Sequence, residues 1–174
     1  VDDRPGVTRD RISVEVEILD RNIEIIDTGG IGITDEVALD ADIHPQIDVA
    51  IASADLILML VDGKAGLHSL DEQVANRLRP LGKKCHLVVN KCEADREVDS
   101  ISEFWALGLG EPRPISAEHG DGVSDLIARF VADIPIGETE TAKPALKISI
   151  GGRRNAGKST FNNAINGEER RQDS

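Results

Sequence analysis

The sequence predicts an α/β fold with a doubly wound, mostly parallel sheet. Short aliphatic runs alternate along the chain with segments that suit helices, which is typical of such sheets. The run at residues 56–61 is continuously apolar, as strands buried on both faces are, and residues 85–89 are expected to form another buried strand. The hydrophobic residues make up 40% of the chain but include only three Phe, one Trp and no Tyr, so the core must be largely aliphatic.

The elements follow from local patterns taken in chain order. Residues 12–19 alternate apolar and acidic side chains, which indicates a half-exposed strand, and a turn leads into a second strand at 23–26 that pairs with it as a hairpin. An imperfect helix is expected from residue 34 to 51. The remaining expected elements are strands at 56–61, 85–89 and 146–150 and helices at 71–78, 101–107 and 123–131.

The strand at 146–150 leads directly into a glycine-rich loop that satisfies the pattern G-x-x-x-x-G-K-[ST]. Such a loop points successive backbone N–H groups at phosphate oxygens, and the helix that follows adds partial positive charge. Lys158 can reach the β- and γ-phosphates, and the Ser159 hydroxyl can bind Mg²⁺. The alternative is a glycine-rich turn with a chance match. The residues expected to bind nucleotide here are Gly152, Arg153, Arg154, Asn155, Ala156, Gly157, Lys158, Ser159 and Thr160. The side chains of Arg153 and Arg154 either add positive charge at the phosphates or face solvent, and the second is favoured.

Three further segments follow predicted strands, where ligands of an open α/β sheet bind. Asp27 offers a carboxylate for Mg²⁺, and Gly30 can place a backbone N–H at a γ-phosphate. The Glu93 carboxylate can accept the paired donors of guanine, which adenine lacks, and the Ser116-Ala117 segment can donate a backbone N–H to the guanine 6-oxo group. Each segment alone could be an ordinary turn, but their order beside the loop favours a nucleotide site. The expected residues are Asp27, Thr28, Gly29, Gly30, Ile31, Asn90, Lys91, Cys92, Glu93, Ser116, Ala117 and Glu118.

The set PGVTRD, DTGG, NKxE, SAEHGxG and GxxNxGKST resembles the translation-factor-related GTPases of the TRAFAC class, and most closely the Der (EngA) family. Members of that family carry two G domains in tandem and then a KH-like domain, and they act in assembly of the large ribosomal subunit. The resemblance spans essentially all 174 residues. It implies a first G domain at 1–134 that lacks its own phosphate loop, a linker at 135–145 and the start of a second G domain at 146–174. The chain would then be an internal fragment of a longer protein.

This resemblance implies a switch that binds and hydrolyses GTP in the parent protein, with GTP or GDP, Mg²⁺ and a monovalent cation, K⁺, as ligands. It assigns catalysis to Lys158, Thr8 and Gly30, Mg²⁺ to Ser159, Thr8 and Asp27, and K⁺ to Asn155. Ile31 stands where many GTPases carry Gln, so a side chain that orders water is not expected there. Glu93 departs from the commoner NKxD by one methylene, which keeps the charge but changes the geometry toward guanine.

Composition limits the partners. The formal net charge is −12, so direct binding of nucleic acid by this chain is not expected. Contact with the large ribosomal subunit is expected through other parts of the parent protein. No apolar run approaches the roughly 20 residues needed to cross a bilayer. Cys85 and Cys92 show neither zinc nor disulfide spacing, so a reducing cytoplasm is the expected setting.

Two rival functions remain open at this stage. One is a structural or interaction fragment without catalysis, which the absence of a phosphate loop ahead of Thr8 favours. The other is an ATP-dependent enzyme with a phosphate loop, which Asn90, Lys91 and Glu93 argue against because their pattern suits guanine. Competition between GTP and ATP distinguishes the GTPase from the ATP-dependent enzyme, and measurable turnover distinguishes the GTPase from the fragment without catalysis.

The position of the phosphate loop near the end of the chain raises a structural hypothesis. A G domain without its own loop strand would leave an empty central slot, with two rows of unpaired backbone groups and a gap in the core. Residues 146–150 could fill that slot, since the linker before them reaches roughly 40 Å when extended. We therefore predict that the sheet is completed by this strand, and the competing expectation is an incomplete sheet with the strand outside it.

Overall fold

The computed structural model describes residues 12–19, 21–27, 51–92, 101–133, 146–153 and 155–172. Its strands are β1 (Ile12–Ile18), β2 (Arg21–Asp27), β3 (Leu56–Asp62), β4 (Lys84–Asn90), β5 (Arg113–Pro114) and β6 (Leu146–Gly151). Its helices are α1 (Ser69–Leu78), α2 (Val123–Ala132) and α3 (Lys158–Gln172), with 3-10 helices at Arg79–Leu81 and Ser102–Leu107. The predicted α/β fold, a mostly parallel sheet flanked by helices, is confirmed.

The six strands form one sheet in the order β1-β2-β6-β3-β4-β5. Only the hairpin of β1 and β2 is antiparallel among these pairs, and β6 runs parallel to both of its neighbours. Ile150 is in register with Asp27 on one side and with Leu58 on the other. The hypothesis that the late strand completes the sheet is therefore confirmed. Its backbone groups satisfy those of β2 and β3, which would otherwise face an empty slot.

Two hydrophobic clusters lie on opposite faces of the sheet, which explains why β3 is continuously apolar. Leu56, Leu58 and Leu60 belong to a cluster that includes residues of α2 and α3. The alternate residues Ile57 and Met59 belong to a second cluster with residues of α1 and of the 3-10 helix at Ser102–Leu107. A strand covered on both faces needs apolar side chains at every position.

The helix predicted at 71–78 begins two residues earlier because His68 caps it. The Nδ1 atom of His68 accepts from Leu70 N at 3.2 Å, and Asp71 Oδ2 accepts from His68 N at 3.1 Å. This reciprocal pair is a capping box with an unusual first residue. The segment predicted as a helix at 101–107 is a 3-10 helix from Ser102, and the two-residue strand β5 was not predicted.

Two predicted segments cannot be compared with the structure. The helix expected from residue 34 and the linker at 135–145 lie outside the described residues, apart from a helical stretch at 51–53. Among the helices that the structure does describe, none combines the length and the apolar character that crossing a membrane requires.

Candidate nucleotide-binding site

The predicted site residues gather where the parallel strands end. Asp27 closes β2 in register with Ile150, and Asn90 closes β4 in register with Asp62 at the end of β3. The glycine-rich loop leaves β6 at the same edge, between the ends of β2 and β3, and leads into α3. The carboxyl edge of the sheet therefore brings the phosphate loop beside the Asp27 and Asn90 segments, although the loop is distant from both in the sequence.

The backbone of the loop explains its glycines. Gly152 has φ +140°, and a Cβ there would collide with the carbonyl oxygen of Leu60 in β3. Gly157 has φ +86°, and a Cβ there would collide with the Asn90 side-chain amide. Asn155 also has a positive φ, of 66°, which Asn tolerates better than most residues. The loop can pack this closely against β3 and β4 only because these two positions lack side chains.

Lys158 begins α3 and is almost fully buried, with 7% exposure. Its Nζ atom donates to the carbonyl oxygens of Gly152 and Arg153 at 2.7 and 2.6 Å. The ammonium is thus held over the loop at the positive end of a helix, where an anion is favoured. This arrangement fits a phosphate group, since both the fixed charge and the helix end are of the right sign.

Asn90 connects three parts of the site and is 2% exposed. Its Nδ2 atom donates to the carbonyl oxygen of Ala156 in the loop at 2.9 Å. Its Oδ1 atom accepts from the N–H of Ala117 at 3.0 Å. The segment after β5 is folded for this contact by a turn in which Gly120 N donates to the Ser116 carbonyl at 2.7 Å.

The Ser116-Ala117 segment, which is expected to donate a backbone N–H to guanine, uses both of its N–H groups within the chain. The N–H of Ser116 donates to the Asp121 carbonyl oxygen at 2.9 Å, and the N–H of Ala117 is bonded to Asn90. It donates to Asn90, because the buried amide oxygen of Asn90 needs a donor. The neighbouring Glu118 is exposed, and Ser116 is buried with its Oγ atom accepting from His119 N at 3.4 Å.

Lys91 is held by a residue that the sequence analysis did not assign to the site. Its Nζ atom contacts Asp62 Oδ2 at 2.6 Å, and Asp62 Oδ1 accepts from the N–H groups of Lys64 and Ala65. Burial alone would raise the pKa of Asp62, but the hydrogen bond from Lys91, the two backbone donors and the Lys91 charge together hold that pKa below its usual value. The sequence signal that could have placed Asp62 in the site is its position as an acidic residue directly after the apolar run at 56–61.

The expectation that Arg153 faces solvent is wrong. Its side chain is only 16% exposed, and Nε lies 3.6 Å from Oδ1 of Asp71, a fully buried residue in the first turn of α1. The buried carboxylate draws the guanidinium inward, because a charge without a partner in the interior is costly. Nothing in the local sequence around Asp71 distinguishes it from an ordinary capping residue.

The metal-binding residues are described in part. Asp27 is buried at 5% exposure at the end of β2, and Ser159 and Thr160 are exposed on the first turn of α3. A carboxylate and a hydroxyl are the hard oxygen ligands that suit Mg²⁺.

Cys92 is buried, with Sγ donating to the Val89 carbonyl at 3.3 Å. The predicted residues outside the described part of the chain are Thr8, Thr28, Gly29, Gly30, Ile31, Glu93 and Arg154.

Replacing Asn90 with alanine is expected to lower the free energy of unfolding by about 2–6 kcal/mol. The change leaves the Ala156 carbonyl and the Ala117 N–H without the partner they have in the interior, each at a cost of about 1–3 kcal/mol. Urea denaturation measures the effect, and Asn163→Ala on the exposed face of α3 is the matched control, expected to stay within about 0.5 kcal/mol. Equal stability of the two variants would contradict the bridging role of Asn90.

A parallel sheet with a phosphate loop after its central strand, and an asparagine from β4 against that loop, defines the P-loop GTPase class of fold. Residues 1–91 match the protein family described as 50S ribosome-binding GTPase. The chain belongs to this family.

The chain is similar over nearly its whole length to curated proteins called GTPase Der. It is 45% identical over 171 residues to the one from Clostridium novyi (strain NT) and 46% identical over 172 residues to the one from Heliobacterium modesticaldum. It is 44% identical over 170 residues to that of Lactococcus lactis subsp. cremoris. Each alignment covers 98% of this chain and 39% of the relative, so the chain spans about two fifths of the length of these proteins. The resemblance to the Der family is confirmed.

Proposed function

We propose that this chain binds a guanine nucleotide and, in its parent protein, hydrolyses GTP as a switch that acts in assembly of the large ribosomal subunit. The observation that carries the proposal is the contact of the phosphate loop with Asn90, which joins a phosphate site to the segment expected to read the base. The family description and the name of the relatives, GTPase Der, support the reaction.

The residues of the chain divide the work of binding. Backbone N–H groups of the loop and the ammonium of Lys158 bind the phosphates, and the hydroxyl of Ser159 and the carboxylate of Asp27 hold Mg²⁺. Mg²⁺, when bound, neutralises phosphate charge. Asn155, exposed in the loop, is proposed to hold K⁺. Thr8 and Gly30 complete the proposed catalytic set.

The proposed division of the chain is a first G domain at 1–134, a linker at 135–145 and the start of a second G domain at 146–174. The alignment with only 39% of each relative supports a longer parent protein. Contact with the large ribosomal subunit is proposed for that parent, since the net charge of −12 disfavours direct binding of RNA by this chain.

Competition between GTP and ATP for the purified chain tests guanine binding, and release of phosphate tests turnover. GTP is expected to displace a bound fluorescent GDP at far lower concentrations than ATP does. Displacement by both nucleotides at equal concentrations would favour the ATP-dependent alternative. Binding without any release of phosphate by the parent protein would favour the non-catalytic alternative.

The Glu93→Ala variant is expected to reduce the preference for GTP over ATP by about 1–3 kcal/mol, because it leaves the guanine donors unpaired. The measurement is the ratio of the two dissociation constants. Glu15→Ala removes the same charge from an exposed position on β1 and should leave the ratio unchanged. A ratio in Glu93→Ala equal to that of the unmodified chain would remove Glu93 from the base site.

A further inference from the structure

A buried charge pair joins α1 to the phosphate loop. Asp71 in α1 has no exposed surface, and one of its carboxylate oxygens, Oδ2, is used by the capping box with His68 N. The other oxygen, Oδ1, has no hydrogen-bond partner among the residues that the structure describes, and it faces Arg153 Nε at 3.6 Å. Within the described part of the chain, Nε and Nη2 of Arg153 also lack hydrogen-bond partners.

Nε of Arg153 and Oδ1 of Asp71 are the two unsatisfied atoms that lie 3.6 Å apart, on elements that are not consecutive in the chain. A guanidinium and a carboxylate can form two parallel hydrogen bonds, and a small movement of the loop toward α1 would make them. Removing either partner leaves the other as an uncompensated charge in the interior. The pair therefore ties the position of the loop to that of α1.

The Arg153 main chain connects this pair to the proposed phosphate site. Its carbonyl oxygen accepts from Lys158 Nζ at 2.6 Å and from Ala156 N at 3.4 Å. The side chain of Arg153 is anchored on α1, so the carbonyl that holds the lysine is fixed by the same residue.

We propose that Asp71 is a positioning residue for the phosphate loop, acting through Arg153 to place the loop and Lys158 for phosphate binding. The inference rests on the proposed nucleotide site and goes beyond it, because Asp71 belongs to no recognition segment and lies on another element. Arg153 acts here as an anchor to α1 through the contact of its guanidinium with Asp71. His68 and Asp62 are the other titratable neighbours that act on the Asp71 carboxylate.

The test compares the affinities for GDP and guanosine, whose ratio isolates the phosphate contribution, in four proteins: the unmodified chain, Asp71→Asn, Arg153→Gln and the double variant. Asn keeps an acceptor for His68 N, so the helix cap survives. Each single variant is expected to lower the ratio about tenfold with guanosine affinity unchanged, and the double variant should lose no more than either single one. Glu72→Gln removes a neighbouring exposed charge from α1 and should leave the ratio unchanged.

The outcomes separate this inference from the proposed function. An unmodified chain that binds GDP no better than guanosine overturns the proposed nucleotide site. A chain with a clear GDP preference that Asp71→Asn leaves intact, or increases, overturns the positioning role. Losses that multiply in the double variant also overturn it, because they mean that Arg153 contacts phosphate independently. Asp71→Asn counts only if it unfolds in a cooperative thermal transition, which shows that it is folded. If it does not, Arg153→Gln decides alone: an unchanged ratio of GDP to guanosine affinity in that variant overturns the positioning role of Asp71 and Arg153.

Discussion

Replacing Lys158 with alanine is expected to remove nearly all of the preference of the chain for GTP over guanosine. Lys158 is 7% exposed at the start of α3, and its ammonium is held over the loop by two carbonyl oxygens, so its loss removes the positive charge fixed at the loop. Hydrogen bonds to charged groups contribute about 1.5–3 kcal/mol each, and phosphate offers several acceptors, so a loss of roughly 100-fold or more is expected. Isothermal titration with the two ligands measures it.

Lys84→Ala is the matched control for this experiment. Lys84 begins β4 at the opposite edge of the sheet, is half exposed and pairs with Asp133, so its removal changes the net charge equally but away from the loop. Its GTP to guanosine ratio should equal that of the unmodified chain. A Lys158→Ala protein that still prefers GTP by the original factor would show that the loop does not bind phosphate.

Replacing Ile148 with aspartate is expected to destabilise the folded chain by about 4 kcal/mol or more, which exceeds what a marginally stable domain tolerates easily. Ile148 is 1% exposed in the middle of β6, in register with Ile25 on β2 and with Leu56 on β3. A carboxylate there would lie in the larger hydrophobic cluster without a partner, and the strand could not keep its place. Circular dichroism during thermal unfolding checks the expectation.

Leu19→Asp makes the same chemical change at a position that is 48% exposed, in the turn after β1. Its free energy of unfolding should stay within about 0.5 kcal/mol of the unmodified chain. If the Ile148→Asp protein has the same midpoint of thermal unfolding as this control, β6 lies outside the sheet in solution and the fold is complete without it.

The sequence predicts the fold well where a strand or helix has a local signature. The bounds of β1, β3 and β4 match the expected runs to within one residue at either end, because their apolar patterns arise from burial on one or both faces. The short β5 was missed, since two residues carry no periodicity. The segment at Ser102–Leu107 was predicted as helical, but nothing in a six-residue pattern separates a 3-10 from an α-helix.

The candidate site was likewise predicted where a motif marks it, and missed where it depends on residues far apart in the chain. The motif spacing indicated the loop and the Asn90 segment, and the contact between Asn90 and Ala156 brings these two together. The roles of Asp62 and Asp71 could not be predicted, because each depends on a cation from a distant part of the chain, Lys91 for one and Arg153 for the other. A carboxylate in a turn or helix cap looks the same in sequence whether or not such a partner exists.

The sequence by itself determined that this chain carries an α/β sheet and a phosphate-binding loop. Both follow from local patterns, which are the alternation of apolar runs with helical segments and the spacing of the glycine-rich motif. The sequence also predicted that residues 146–150 complete the sheet, and the tertiary structure decided between this expectation and that of a strand outside the sheet. Strand β6 takes the slot between β2 and β3, where its backbone groups pair on both sides. The burial of Asp71 then turns Arg153 inward, against the expectation of a solvent-facing side chain. The physical reason is that strand pairing and the neutralisation of buried charge act between segments far apart in the chain, where no local pattern records them.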